Sequence, residues 1–257
     1  MLLCRFGSEG LLAAGPSLAQ LRVLFSDPFE TPLSQWQFGR TIDLGEGDAV
    51  RAPLVPGKIV CVGRNYRDHA AELGNPLPTE PLLFLKAPSA VVGPGSAIVL
   101  PPESARVDFE GEIALVVKHR LRRVGPAEAL AGILGVTCAN DVSARDLQKR
   151  DGSFSGAKSF DTFCPLGPAI LVEPELEGLE VRTRVNGALR QHGRVGEMVF
   201  GFAELLAYAS CRMTLEPGDL FLTGTPAGVG PLADGDRVEV EIPGLPVLAN
   251  PVEAWRQ

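Results

Sequence analysis

The amino-acid sequence predicts a mainly β, α+β protein: a mixed sheet folded on itself, a few peripheral helices and a small β-rich segment at the N-terminus. Three observations carry that expectation. Short apolar runs of strand length outnumber amphipathic runs of helix length. The few helical runs do not alternate with strands as a doubly wound fold requires. Aromatic residues make up only 6% of the 257 residues, against 45% apolar overall, so aliphatic side chains must fill the core.

In chain order, residues 1–52 read as a small N-terminal β domain, whose runs 2–6 and 21–25 are broken by Gly, Ser, Asp and Pro. Ala52-Pro53-Leu54-Val55-Pro56-Gly57 is a linker, because two prolines and a glycine disfavour pairing, and residues 53–257 form the main domain. Residues 58–62 are a buried strand that runs into a short helix between Gly63 and Gly74, with Asn65 as N-cap and Gly74 as stop. An irregular loop follows over 74–81; between it and Gly63 the helix is either a mobile lid or a fixed surface turn. Strands are expected at 82–86, 98–100 and 107–117, then a helix over 126–134 with Pro126 in its first turn. A strand ends at Asn140-Asp141 and gives way to a polar helix start, and 145–164 is polar and glycine-bearing. Asn186-Gly187 between 180–185 and 188–191 is a hairpin signal, since Asn-Gly suits a type I′ turn. A helix over 200–211, a turn at Pro217-Gly218-Asp219 and strands at 220–222, 236–242 and 245–249 complete the chain.

Thirty-one acidic against 24 basic residues give a net charge of −7, which argues against non-specific nucleic-acid binding. No run approaches the ~18 apolar residues of a membrane span, and no convincing signal peptide is seen, so the expected address is the cytoplasm. Five cysteines, without a Cys-x-x-Cys pair, fit free buried thiols better than a disulfide framework.

The stretch Val107-Asp108-Phe109-Glu110-Gly111-Glu112 alternates acids ahead of an all-apolar run. In one continuous strand these acids share a face, and their mutual repulsion calls for a cation among them; the alternative is a solvated edge face. Asp141 stands at a strand end, where ligand sites form. Glu110, Glu112 and Asp141 would supply three hard oxygen ligands, suited to Mg²⁺ or Mn²⁺, with Ca²⁺ as an alternative, and unsuited to zinc.

His69 follows a buried strand and shares a helix face with Glu72 three residues on, a spacing that can hold a general base in one tautomer. An isolated histidine is more often structural. His119 and His192 are expected on the surface. Lys158, among small residues, could balance the acids or stabilise an oxyanion, or be a solvated loop lysine. The glycine-rich loop around Thr225 lacks a phosphate-binding signature; its N–H groups and the Thr225 hydroxyl could meet a carboxylate, or its glycines could merely shape a turn. No nucleophile elbow is present.

Five motifs in this order resemble the fumarylacetoacetate hydrolase family: Val62-Gly63-Arg64-Asn65-Tyr66 with Asp68-His69, Asp108-Phe109-Glu110-Gly111-Glu112, Asn140-Asp141-Val142-Ser143-Ala144-Arg145-Asp146, Ala157-Lys158-Ser159-Phe160-Asp161, and Leu222-Thr223-Gly224-Thr225-Pro226-Ala227-Gly228-Val229-Gly230. The likeness spans about residues 56–250 and points to the bacterial branch of 2-hydroxyhepta-2,4-diene-1,7-dioate isomerases, related decarboxylases and acylpyruvate hydrolases. The resemblance implies a β-sandwich roll as catalytic domain, usually in a homodimer, with residues 1–52 as the small N-terminal domain of longer members. It implies Glu110, Glu112 and Asp141 as ligands of Mg²⁺ or Mn²⁺, leaving Asp108 outside the set. It further implies His69 and Glu72 as a dyad on a lid helix, Lys158 as the active-site lysine, and Arg64, Arg145, Gln148 and Thr225 as substrate contacts. The implied substrates are small 2-oxo or 2-hydroxydienoic dicarboxylates, which react through a metal-stabilised enolate as in 2-hydroxyhepta-2,4-diene-1,7-dioate isomerases or 5-oxopent-3-ene-1,2,5-tricarboxylate decarboxylases. Acylpyruvate hydrolysis, oxaloacetate decarboxylation and a catalytically silent oxo-acid-binding relative are the alternatives.

Overall fold

The computed structural model describes residues 1–42, 50–72, 74 and 76–256. Part of the predicted N-terminal domain (43–49), the helix residue Leu73 and the loop residue Asn75 lie outside the described residues.

Strands dominate, as the sequence predicts. Among the described residues the central sheet has twelve strands. Its core runs Cys164–Val172, Ile133–Asn140, Gly111–Val117, Leu220–Leu222, Ile59–Gly63 and Leu82–Lys86, the last forming one edge. The strand Gly111–Val117 is buried at every residue. Period-2 alternation explains why: Ile113, Leu115 and Val117 enter one apolar core, Ala114 and Val116 the other. The first core also receives Val181, Val240 and Leu248 from a five-stranded second sheet. Against it pack α2 (Pro126–Ala131) through Ala129 and α5 (Phe202–Ser210) through Leu205, Leu206 and Ala209. A third, three-stranded sheet joins Val107–Phe109 to Ser143–Ala144 and Gly230–Pro231.

The N-terminal strands extend the central sheet. Leu2–Phe6 pairs antiparallel with Cys164–Val172, placing Leu2, Leu3 and Cys4 opposite Leu171, Ile170 and Ala169. The sequence does not predict the strand Cys164–Val172, because Pro165, Gly167 and Pro168 argue against a strand. Its register against Ile133–Asn140 shifts between Val136 and Cys138, which face Leu171 and Gly167. Pro168 therefore sits in the bulge, where its missing N–H breaks no ladder bond.

Three local expectations are corrected. The run 107–117 is two strands, Val107–Phe109 and Gly111–Val117, in different sheets. At Glu110 the chain leaves the ladder: its N–H donates to the Asn140 side chain (2.9 Å) and its carbonyl accepts from Asp141 N (2.8 Å). The helix expected over 126–134 stops at Ala131, and Ile133 opens a strand. Asn65 is no N-cap. Helix α1 (Arg67–Glu72) starts two residues later, and Asn65 is fully buried. Its amide donates to Phe200 O (3.1 Å) and Thr223 O (2.8 Å) and accepts from Phe200 N (2.9 Å). The polar stretch after Asp141 holds two short helices, α3 (Arg145–Asp151) and α4 (Phe154–Lys158), separated by left-handed Gly152.

All five cysteines are free; Cys211 is exposed and the other four are buried, where desolvation pushes the Cys138 thiol up to about 12. His119 and His192 are exposed. No helix among the described residues is long and apolar enough to cross a membrane.

The Asn65 bonds tie the start of the α1 segment to two distant loops. Asn65→Ala orphans three buried backbone groups and is expected to cost about 2–4 kcal/mol. Urea unfolding measures this; a loss below about 0.5 kcal/mol would contradict the account.

Candidate active site

The register of the two central strands builds the acidic site. Gly111 pairs with Asn140, so Glu110 and Asp141 are neighbours just beyond the ladder while Glu112 lies just inside it. Ligand oxygens of Glu110, Glu112 and Asp141 all lie within 4.8 Å of one another, and all three residues are buried. This is the predicted set. Asp108 is excluded from it by the break at Glu110 and pairs with Arg106 and Arg145 instead.

Basic groups enter from three elements. Lys158, the last residue of α4, bonds Glu110 Oε2 at 2.5 Å and Asp141 Oδ2 at 2.7 Å. It is 3% exposed, which removes the solvated-loop alternative. Arg145 pairs with Glu110 Oε1. Lys86, at the end of the edge strand, bonds Asp141 Oδ1 (2.7 Å), Val142 O (3.3 Å) and the carbonyl of Lys158. Sequence reasoning missed Lys86; the one available signal was a charged residue closing an otherwise apolar strand.

These pairings split the acids. Burial opposes ionisation of Glu110, yet Arg145 and Lys158 together hold its carboxyl well below the usual range. Glu112 forms no ion pair among the described residues. Burial, with Asp141 and Glu110 beside it, raises its carboxyl well above the ordinary value, and the nearby Lys158 ammonium and a bond from Gly224 N–H (2.7 Å) only partly offset this. A buried acid without an ion pair of its own, next to two more carboxylates, fits a hard divalent ion. Burial works against the Lys158 ammonium, but Asp141 and Glu110 raise its pKa above the ordinary lysine value.

A cavity of about 470 Å³ opens over this group. Arg64, His69, Glu110, Glu112, Arg145, Gln148, Lys158 and Thr225 all line it, with Val62, Phe84 and Phe154 as its apolar wall. Asp141 lies beneath the lining, covered by Lys86 and Lys158. Glu72 stands outside and reaches His69 Nδ1 at 3.3 Å while accepting from Gly228 N–H at 3.1 Å. A His69 tautomer with its hydrogen on Nδ1, donated to Glu72, carries its lone pair on Nε2. Gly228 has φ +101°, and a Cβ there would meet Arg190 O at 2.0 Å, so only glycine brings this N–H to Glu72. Arg64 adopts φ 59°, uncommon for a residue with a Cβ, and reaches the cavity from that strained position.

The Thr225 hydroxyl donates to Gly111 O (2.9 Å) and accepts from Gln191 Nε2 (2.7 Å). Its hydrogen is committed within the protein, not offered to a carboxylate as the sequence suggests. Gln191, 1% exposed, also accepts from Gly111 N at 3.0 Å and was likewise missed. It is one of several inward-facing hairpin residues, and only its amide sets it apart.

Residues 58–253 match the family described as Fumarylacetoacetate (FAA) hydrolase C-terminal. This chain belongs to the fumarylacetoacetate hydrolase family. Among curated relatives, the mitochondrial oxaloacetate tautomerase FAHD2B of Bos taurus is 46% identical over 214 residues, 78% of this chain and 68% of that protein. A protein of Mycobacterium tuberculosis, Rv2993c, is 45% identical over 92% of this chain and 89% of its own length. Among solved structures, a 2-hydroxyhepta-2,4-diene-1,7-dioate isomerase from Mycobacterium marinum superposes with TM-score 0.89 at 41% identity, covering 100% of both chains. A 5-carboxymethyl-2-hydroxymuconate delta-isomerase from Mycobacterium smegmatis gives TM-score 0.89 at 38% identity over 99% of this chain and 100% of that one.

Replacing Lys86 with Met leaves Asp141 short of one buried partner and is expected to destabilise the protein by roughly 3–5 kcal/mol in chelator. Added Mg²⁺ should stabilise Lys86→Met more than the parent, because the ion neutralises the same carboxylate. Thermal unfolding with and without Mg²⁺ reads both effects; an unchanged midpoint in chelator would contradict the role given to Lys86.

Proposed function

We propose that this chain is a divalent-metal-dependent enzyme that moves a proton on small 2-oxo or 2-hydroxydienoic dicarboxylates through an enolate, the step shared by isomerisation and keto–enol tautomerisation. The observation that carries this reading is the buried Glu110–Glu112–Asp141 cluster beneath a cavity that Glu110, Glu112, His69 and Lys158 line. Glu110, Glu112 and Asp141 would hold Mg²⁺ or Mn²⁺, which when bound supplies Lewis-acid polarisation of the 2-oxo group.

The chain's own residues do the rest. Lys86, Lys158 and Arg145 already match the three carboxylates in charge, so a cavity that also holds a divalent ion is positive and favours an anionic substrate. His69, held by Glu72, accepts the proton next to the oxo group at Nε2 and returns it elsewhere. Lys158 presents its ammonium to the oxygen where negative charge develops. Gln148 and Arg145 offer polar contacts to a carboxylate, while Val62, Phe84 and Phe154 exclude water from the carbon chain. The named relatives support the reading, since one is a tautomerase and two are isomerases of such acids. Acylpyruvate hydrolysis and oxaloacetate decarboxylation pass through the same enolate and are the readings this proposal must beat.

A panel of oxaloacetate, 2-hydroxyhepta-2,4-diene-1,7-dioate and acylpyruvates, followed by ultraviolet absorbance with Mg²⁺ and with chelator, separates them. Metal-dependent isomerisation or tautomerisation is expected; turnover of acylpyruvates alone would reject the proposal. Glu110→Gln and Asp141→Asn, which keep the side-chain shape, should abolish metal-dependent turnover, and unchanged Mg²⁺ affinity in both would refute the ligand assignment. His69→Ala should lower kcat by roughly 10²-fold or more at unchanged Mg²⁺ affinity; parental turnover would remove it from the mechanism.

A further inference from the structure

Asp108 has no part in the proton transfer above, yet its carboxylate is 1% exposed. Two guanidinium groups hold it. Arg106 donates from Nε to Oδ1 (2.9 Å) and from Nη2 to Oδ2 (3.1 Å), and Arg145 donates from Nε to Oδ2 (3.0 Å). The backbone prepares this: Asp108 pairs with Ser143, and Arg145 N donates to Arg106 O at 2.9 Å. Both arginines are therefore delivered to one acid from opposite sides.

Arg145 is then fixed at every nitrogen. Nε is held by Asp108, Nη1 donates to Gln148 Oε1 at 3.0 Å, and Nη2 pairs with Glu110. A guanidinium so bonded cannot rotate without breaking a charge-assisted bond. It has five N–H groups, so one on each terminal nitrogen stays uncommitted and is available to a carboxylate. Arg145 lines the cavity with its side chain 15% exposed. Without Asp108, Glu110 would be its one remaining acidic partner, and the group would fold onto an oxygen of the metal cluster.

We infer that Asp108 is a positioning residue for substrate recognition: it locks Arg145 through Nε so that the guanidinium presents its uncommitted N–H groups in a fixed orientation to one carboxylate of a 2-oxo acid in the cavity. Arg106, 56% exposed, closes the outer side of Asp108 and completes the relay from surface to site. The inference rests on the 2-oxo-acid reading of the cavity and goes beyond it in naming what aims the recognising arginine.

The test is a double-mutant cycle read by calorimetric binding of oxalate to Mg²⁺-loaded protein. Asp108→Asn keeps the shape but turns an amide N–H₂ toward the arginines, and it should weaken oxalate binding about tenfold. Arg145→Lys keeps the charge but loses the guanidinium, and should weaken it at least as much. The double variant should bind no more weakly than Arg145→Lys alone, because Asp108 acts through Arg145. Affinity for Mg²⁺ without oxalate should stay within about threefold of the parent in Arg106→Gln, and measuring it in every variant separates loss of the ion from loss of oxalate. Arg106→Gln, at the surface, should weaken oxalate in the same direction by a smaller factor. Parental oxalate affinity in Asp108→Asn, or losses that multiply in the double variant, would overturn the inference and leave the proposed function standing. Should Asp108→Asn fail to fold, parental affinity in Arg106→Gln would overturn it. A parent that binds no oxalate with Mg²⁺ would overturn the 2-oxo-acid reading itself, and this inference with it.

Discussion

Three carboxylates held at two adjacent strand ends, out of water, are the constraint around which this protein is arranged. Such a group survives only where opposite charge meets it at close range, because a buried unpaired ion costs several kcal/mol. Lys158 answers Glu110 and Asp141, Lys86 answers the other oxygen of Asp141, and Arg145 answers Glu110. Those three cations come from the edge strand of the central sheet and from two short helices that pack in a separate apolar cluster through Leu147 and Ala157. The acidic cluster adds a charged seam between α3, α4 and the strand Leu82–Lys86 at the common cavity.

The same arrangement divides labour. Glu112 alone is left without a basic partner among the described residues, and burial holds its carboxyl raised. That unsatisfied acid marks where a cation is needed, while the paired acids mark where the protein is already balanced. His69 stands apart on α1, and its orientation comes from Glu72 and the Gly228 N–H. In the proposed reaction the acidic cluster and the proton carrier therefore sit on different elements.

Much of this was legible in the sequence, and the reasons are local. The strands Leu82–Lys86, Ile98–Leu100 and Leu220–Leu222 are apolar blocks bounded by Pro and Gly, and period alone finds them. The hairpin at Asn186-Gly187 follows from turn chemistry, with Asn186 at φ 52° and Gly187 at φ 78°. The acidic triad followed from the chemistry of its donors and from motif order. What stayed hidden depends on contacts between distant segments. Cys164–Val172 was masked by prolines that only a bulge excuses. Asn65 looked like a cap because short-range logic cannot see Phe200 or Thr223. Lys86 meets Asp141 across 55 positions of sequence, and Asp108 shares a run with Glu112 yet lies in a different sheet.

The central claim is that Glu110, Glu112 and Asp141 hold one divalent ion at the floor of the cavity. Anomalous diffraction from crystals soaked in Mn²⁺ tests it most directly. The account predicts a single strong peak with one oxygen of each of the three residues at roughly 2.0–2.5 Å. A peak elsewhere, or none at these carboxylates at saturating Mn²⁺, would contradict it.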